Sequence, residues 1–281
     1  MYKRQILDKA NPFPILDTEF GDIVGTGGDH SNLINVSTLS TFVAAAAGVK
    51  MAKHGNRSVS SKCGSFDLLE VLEVPFNIEL DNLKHMFEQH GVCFLFAPLF
   101  HPSFKHVVPI RKKLKTRTIF NILGPLVNPA RPSFQVLGVY ANELLEPMAQ
   151  ASQKLGLKQG LIVHGAGLDE IAPHADTSVI ELKNDRLTSK MISPKDFGFD
   201  YFSKDKVAGG EKEENLIISQ EILSGKGTIE QQMMIAMNVA PLLVMARQCQ
   251  NYKQAASYAM DILKTDSPIK LIQKMKLDTS K

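Results

Sequence analysis

The residues with the clearest chemical potential fall in three short clusters. The first is GTGGD, Gly25–Asp29, which follows the apolar stretch GDIVG and leads to Asn35, Ser37 and Thr38 at the head of an Ala-rich run. Glycines at a strand-to-helix junction let backbone N–H groups approach an oxygen-rich anion without Cβ clashes. The helix that follows adds free N–H groups and the positive end of its dipole. Ser37 and Thr38 place hydroxyls where a phosphate or a metal could be held. The same residues would also make a tight βα turn and a helix cap with no ligand, and both readings stand at this point. The glycine spacing is not that of the GxGxxG dinucleotide fingerprint, and no GK[ST] follows to make a P-loop.

The second cluster is KHGNRSVSSKCGS, Lys53–Ser65, with Lys53, Arg57 and Lys62 among four serines and two glycines. It too follows a strand-like segment and leads into a helix-like one. Two polyanion-binding turns after neighbouring strands suit a ligand with two phosphate ends; a solvated loop is the alternative. The third cluster holds Asp169 and Glu170 in HGAGLDEIAP. Mg²⁺ takes a few carboxylates and fills its shell with substrate oxygens and water, so adjacent acids after a glycine turn could serve a diphosphate. Taken alone, they would read as a surface acidic pair.

The elements that position these clusters alternate between strand and helix patterns, which predicts an α/β fold. GDIVG, VKMAKHG, FQVLGVY and GLIVHG read as strands. STLSTFVAAAAGV reads as a helix capped by Ser37, and SFDLLEVL as one capped by Ser65. TSVIELKNDRLTSKMI alternates around Asn184–Asp185 and predicts a hairpin. The tail reads as three helices, with Pro241 expected to kink the middle one. VAGGEKEE reads as a flexible surface loop. After Val74–Pro75 the chain turns helix-rich, interrupted by VCFLFAP, a strand or a buried helix turn. The expected organisation is a large α/β domain, a central sheet flanked by helices, over 17–74 and 123–281. A small, truncated all-helical domain is expected from 1–16 and 75–122.

The 281 residues suit one large domain with a smaller lobe, or two domains. A net charge of +3, with Lys and Arg mixed among acids, gives no support for a nucleic-acid partner. Cys63, Cys93 and Cys249 are few and far apart, which argues against a disulfide framework or a zinc site. The N-terminal stretch lacks the apolar core of a signal peptide, and no apolar run approaches the ~18 residues of a spanning helix. A cytoplasmic protein without membrane contact is expected.

Together the clusters resemble the anthranilate phosphoribosyltransferase family. Its GTGGD, N-x-S-T, KHGNR and GLDE signatures match Gly25–Asp29, Asn35–Thr38, Lys53–Ser65 and Gly167–Glu170, and HPSFKHVVPIRKKLKTRTIFNILGPLVNPA is equally typical. The resemblance runs from about Gly21 to the C-terminus. It implies transfer of a 5-phosphoribosyl group from 5-phosphoribosyl 1-diphosphate to anthranilate, in tryptophan biosynthesis. It places Gly25, Gly28, Asp29, Leu33, Asn35, Val36, Ser37 and Thr38 around the diphosphate substrate. With them it places Lys53, His54, Gly55, Asn56, Arg57, Ser58, Val59, Ser60, Ser61 and Ser65. It assigns Gly25, Asn56, His101, Arg111 and Pro125 to anthranilate, and Ser37, Asp169 and Glu170 to Mg²⁺. Chemistry agrees for Arg111, which can answer a carboxylate, and for Pro125, a flat apolar wall for an aromatic ring. No residue is assigned as a general acid or base.

The sequence departs from the family pattern at His30, where Gly is usual, and at Leu33, where Thr is usual. The helices that normally precede the glycine loop are reduced to 1–16, which leaves the family's homodimer in question. The helical insert is therefore expected to expose apolar faces around Phe87, Phe100 and Phe104. Rival readings are a nucleic-acid-binding or different-substrate paralogue, a pyrimidine nucleoside phosphorylase, and a degenerate, inactive chain. Asn56, Arg111 and the intact RTIFNILGPLVNP stand against the first.

Overall fold

The computed structural model describes residues 6, 9–13, 18–57, 63–106 and 118–278. Its centre is a seven-stranded sheet in the order β3-β2-β1-β4-β5-β6-β7. The strands are β1 (Gly21–Gly25), β2 (Met51–Gly55), β3 (Val92–Phe96), β4 (Phe134–Gly138), β5 (Gln159–His164), β6 (Thr177–Lys183) and β7 (Arg186–Ile192). The first five run parallel, and β6 and β7 close the edge as an antiparallel hairpin. Asn184 and Asp185 turn that hairpin with φ of 51° and 56°, the left-handed pair a two-residue turn of matching twist requires. Strand order reverses between β1 and β4. Open α/β sheets bind ligands outside the carboxyl ends of the strands at such a switch point.

The helices are α1 (Val36–Ala46), α2 (Ser65–Val71), α3 (Leu80–His90), α4 (Ala97–Phe100) and α5 (Phe120–Leu123), then α6 (Leu145–Lys154), α7 (Lys212–Leu223), α8 (Ile229–Met245), α9 (Tyr252–Leu263) and α10 (Ser267–Asp278). On one face of the sheet, Leu39, Phe42 and Val43 of α1 share a core with Ile23, Met51, Phe94 and the α8 residues Met234 to Leu243. The helix α8 continues through Pro241 as a single element. On the other face, α3 and α4 pack through Leu83, Phe87 and Phe100. Asn35 is the N-cap of α1 and Gly64 that of α2, so neither Ser37 nor Ser65 is a cap. At α2 the Asp67 carboxylate accepts the Gly64 N–H at 3.0 Å, which leaves the Ser65 hydroxyl free for other use.

Three further expectations need correction. The run VCFLFAP supplies β3, paired with β2 in register Met51↔Val92 to Gly55↔Phe96, so the expected helical domain over 75–122 is interrupted by a strand of the main sheet. A short apolar run carries no period that separates a buried strand from a helix turn. Phe87 and Phe100 are buried rather than exposed: Phe20 stands edge-on to Phe87 with centroids 5.6 Å apart, and Phe13 stands edge-on to Phe100 at 6.2 Å. Asn11 ties the same segment down, its N–H donating to the Phe100 carbonyl at 2.8 Å. Finally, the expected loose loop around VAGG is hydrogen-bonded across residues 32–34, with Leu33 and Ala208 forming an isolated antiparallel bridge.

Candidate active site

A cavity of about 820 Å³ opens at the carboxyl ends of β1 and β2. Its walls come from residues 24–37, 53–57 and 63–65, from residues between Ala97 and Pro125, and from Asp169 and Glu170. All three sequence clusters therefore meet in one space.

The glycine loop is wound through the left-handed region: φ is 65° at Gly27, 79° at Gly28, 57° at His30 and 51° at Asn32. At Gly27 and Gly28 nothing lies within 4 Å of where a Cβ would stand, so those glycines serve backbone conformation and open approach to the cavity. Gly25 has a different reason. A Cβ there would sit 2.1 Å from Asp169 Oδ2, and one on Gly138 would sit 1.5 Å from the Asp169 carbonyl oxygen. The Gly27 N–H donates to Asp169 Oδ2 at 2.6 Å. Small residues on two neighbouring strands thus let the third cluster press against the first.

Lys53 lies almost wholly buried on β2 and donates from Nζ to the Ile23 carbonyl at 2.6 Å and to Ser37 Oγ at 3.1 Å. Burial pushes its ammonium below the usual lysine range, and the charges of Asp22, Glu170 and Asp169 oppose that shift. Asp22 is buried beneath it, its Oδ2 accepting from Asn128 Nδ2 at 3.0 Å and Gln135 Nε2 at 3.2 Å. Burial raises the Asp22 carboxyl, and Lys53 pulls it back. Neither Asp22, Asn128 nor Gln135 was singled out in the sequence. The signal for Asp22 was a charged residue inside an otherwise apolar strand, GDIVG.

Asp29, Asp169 and Glu170 form the acidic end of the cavity. Asp169 is pushed upward first by burial and then by the charge of Asp29, whose carboxyl also lies within hydrogen-bonding reach. Glu170 is raised well above the usual range by burial and by Asp169. Two carboxylates in contact need a proton or a cation between them, and this is the observation that fits Mg²⁺ here. Among the described residues no three His, Cys, Asp or Glu side chains make a metal cage by themselves. A site completed by substrate oxygens and water needs none. Ser37 lines the cavity beside them with its hydroxyl already accepting from Lys53.

The other end is apolar. His54 and His101 are buried with ring centroids 5.2 Å apart, edge to face, and Phe104 lies 5.2 Å from His101. His101 Nε2 bonds the Val127 carbonyl at 2.9 Å, while His101 Nδ1 and His54 Nε2 are buried without a partner among the described residues. Burial, helped by His101, lowers His54 to about 3, and burial also lowers His101, so both rings are neutral. Pro125 completes this wall.

Of the other expected residues, Gly28, Leu33, Asn35, Val36, Gly55, Asn56 and Ser65 line the cavity. Arg57 does so while paired to Glu70 Oε1 at 2.7 Å. Thr38 is fully buried, its hydroxyl has no partner among the described residues, and it is not part of the wall. Its place on α1 turns it into the core, so the hydroxyl expected on the phosphate is not on the cavity surface. Ser58, Val59, Ser60, Ser61 and Arg111 lie outside the described residues. Sequence reasoning missed Thr26, whose Oγ1 accepts from the Tyr140 N–H at 3.1 Å, and Asn215. No helix among the described residues is long and apolar enough to cross a membrane.

Residues 17–267 match the glycosyl transferase family, a/b domain. The anthranilate phosphoribosyltransferase of Aeromonas salmonicida is 49% identical over 270 residues, covering 96% of this chain and 80% of that protein. The crystal structure of anthranilate phosphoribosyltransferase from Thermus thermophilus superposes with a TM-score of 0.93 at 36% identity, covering 99% of this chain and 83% of that one. The Saccharomyces cerevisiae enzyme, solved in complex with PRPP and Mg, superposes with a TM-score of 0.89 at 30% identity, covering 99% of this chain and 78% of that one. A sheet of this order, the three clusters joined in one cavity, and this likeness over nearly the whole chain place the protein in the anthranilate phosphoribosyltransferase family.

Proposed function

We propose that the chain transfers the 5-phosphoribosyl group of 5-phosphoribosyl 1-diphosphate to the amine of anthranilate, releasing diphosphate. The observation that carries this reading is the union of two unlike compartments in one cavity: a backbone-rich, charged end and an end walled by neutral rings and Pro125. The donor takes Gly25, Gly28, Asp29, Asn35, Ser37, Lys53 and Ser65. The acceptor takes Asn56, His101, Pro125 and Arg111. Ser37, Asp169 and Glu170 would hold Mg²⁺, which supplies neutralisation of the diphosphate charge.

In the reaction the C1–O bond breaks and its electron pair leaves with diphosphate, while the amine lone pair forms the new C1–N bond and the nitrogen gives up one proton to solvent or the departing diphosphate. The ribose centre passes through an oxocarbenium-like state. The backbone of the glycine loop and the positive end of the α1 dipole would face the diphosphate and stabilise charge as it develops on the leaving oxygens. Buried Lys53 fixes the Ser37 hydroxyl. Neutral walls around the acceptor keep water from the reacting carbon and hold the ring in line. An aromatic amine is unprotonated at neutral pH, so no strong base is required, and none is assigned. The chain is proposed to act as a homodimer, which light scattering reads directly.

The experiment is loss of anthranilate fluorescence with the donor and Mg²⁺ present, repeated with a chelator. Turnover that stops on chelation supports the reading. Absence of turnover with both substrates saturating would overturn it.

A further inference from the structure

We infer that Asn215, which belongs to none of the motif clusters, is a positioning residue for the donor end, locking Val207–Gly210 as a strap across the glycine loop. Only the identity of the ligand rests on the functional reading above.

Asn215 stands in the first turns of α7, is 3% exposed and reaches the cavity wall. Its side chain grips both backbone groups of one residue: Oδ1 accepts the Gly210 N–H at 2.9 Å, and Nδ2 donates to the Gly210 carbonyl at 3.1 Å. The residues just before it are bound to the glycine loop. The Gly209 N–H donates to the Asn32 carbonyl at 2.8 Å, Asn32 Nδ2 returns a bond to the Gly209 carbonyl at 3.2 Å, and the Ile34 N–H donates to the Val207 carbonyl at 3.1 Å. A Cβ on Gly209 would lie 2.6 Å from the Leu33 carbonyl oxygen and 2.9 Å from Asn215 Oδ1, so strap, loop and Asn215 are in contact at one point.

The loop needs such a hold. His30 and Asn32 sit at φ of 57° and 51°, a region that costs free energy for residues with a Cβ and persists only when the surroundings fix it. The same helix start also steadies the second cluster. Lys212 pairs with Asp67 at 2.9 Å, and Asp67 takes the Gly64 N–H beside Ser65 at 3.0 Å. Asn35 Nδ2 meanwhile donates to the Cys63 carbonyl at 3.0 Å. One end of α7 therefore braces both phosphate-facing segments from behind, without itself carrying a charge toward the ligand at Asn215.

The test uses Asn215→Leu, which keeps the bulk and removes both hydrogen bonds, and Asn32→Gly, which keeps the left-handed backbone accessible and removes only the bond to Gly209. Calorimetric titration with 5-phosphoribosyl 1-diphosphate and Mg²⁺ should show roughly 10-fold weaker binding for the first variant and roughly 5-fold for the second. The KM for anthranilate and kcat at saturating donor should stay near wild type, a split that general loosening of the fold would not give. Amide exchange over residues 27–34 without ligand should rise in both variants. Unchanged exchange and unchanged donor affinity in Asn32→Gly would overturn the strap, even if Asn215→Leu failed to fold. A wild-type chain that does not bind the donor would instead count against the functional reading, with exchange still deciding the strap.

Discussion

At the donor end of the cavity, recognition is made of backbone. Gly27 and Gly28 expose it, Asp169 reaches in against Gly25, and three polar side chains nearby are tied to neighbouring segments: Lys53 to Ser37, Asn35 to Cys63, Asn215 to Gly210. The end proposed for the acceptor is made of ring faces, and two imidazole nitrogens lie buried there without partners among the described residues. The first construction has no room for a Cβ at Gly25 and holds Gly27 and Gly28 in left-handed backbone. The second tolerates unpaired polar groups because its task is shape and dryness. Loss of the acids proposed to hold Mg²⁺ should therefore be near-total, whereas a loss at the acceptor end should be graded.

The sharpest way to break that contrast is the acid pair. Asp169→Asn with Glu170→Gln should abolish Mg²⁺-dependent turnover while circular dichroism shows a folded chain. Full activity at saturating Mg²⁺ would remove both acids from the site. Next in size is Arg111→Ala, which should raise the KM for anthranilate by roughly 10- to 150-fold, the worth of a charged hydrogen bond, and spare the KM for the donor. Equal weakening toward both substrates would erase the distinction between the two ends.

The third test uses acid. His54 is held neutral in the fold at about 3, against 6.5 for a free imidazole, because burial disfavours its charge. A depressed histidine gives its full contribution above the unfolded value. As pH falls from 6.5 toward 3 the unfolded chain takes the proton first, and up to a few kcal/mol of stability is lost through this group. Denaturant unfolding of His54→Gln should show a shallower loss of stability over that window than wild type. Parallel curves would mean the acceptor end is wetter than its geometry implies. The smallest effect belongs to the donor loop's departure from the family pattern. His30 sits at φ of 57°, so His30→Gly should relieve left-handed strain and raise stability by about 1 kcal/mol or less, read as a shift in the denaturation midpoint. A fall in stability would show that the imidazole makes a contact worth more than the strain.

The donor end was legible in the sequence because its parts are local. GTGGD, KHGNR and GLDE each carry glycines and polar groups within a few positions, and each follows a strand, so composition and order revealed both chemistry and address. What escaped was assembled at a distance. Asp22, Asn128 and Gln135 come from three separate segments to a single buried carboxylate, and no spacing links them. Asn215 looks like any polar residue in EKEEN until its contact with Gly210 is seen. The run VCFLFAP became β3 through pairing with β2, a long-range event a short apolar stretch does not encode. Phe87 and Phe100 looked uncovered because Phe13 and Phe20, which shield them, lie far off in sequence and carry no pattern of their own.

Pro125 lines the cavity while its carbonyl accepts from Gln135 Nε2 at 2.9 Å, and the same Gln135 nitrogen reaches Asp22 beneath Lys53. The cavity wall proposed for one substrate is thus bolted to the carboxyl beneath the lysine proposed for the other. A designer who wishes to widen the enzyme's appetite for larger amines meets a constraint here. Cutting back Pro125 would disturb the 124–126 turn whose carbonyl holds Gln135, the residue that also holds Asp22. Acceptor scope in this fold is better broadened at Phe104 or Phe120, whose rings touch the cavity and each other with centroids 6.0 Å apart and make no hydrogen bond to the sheet.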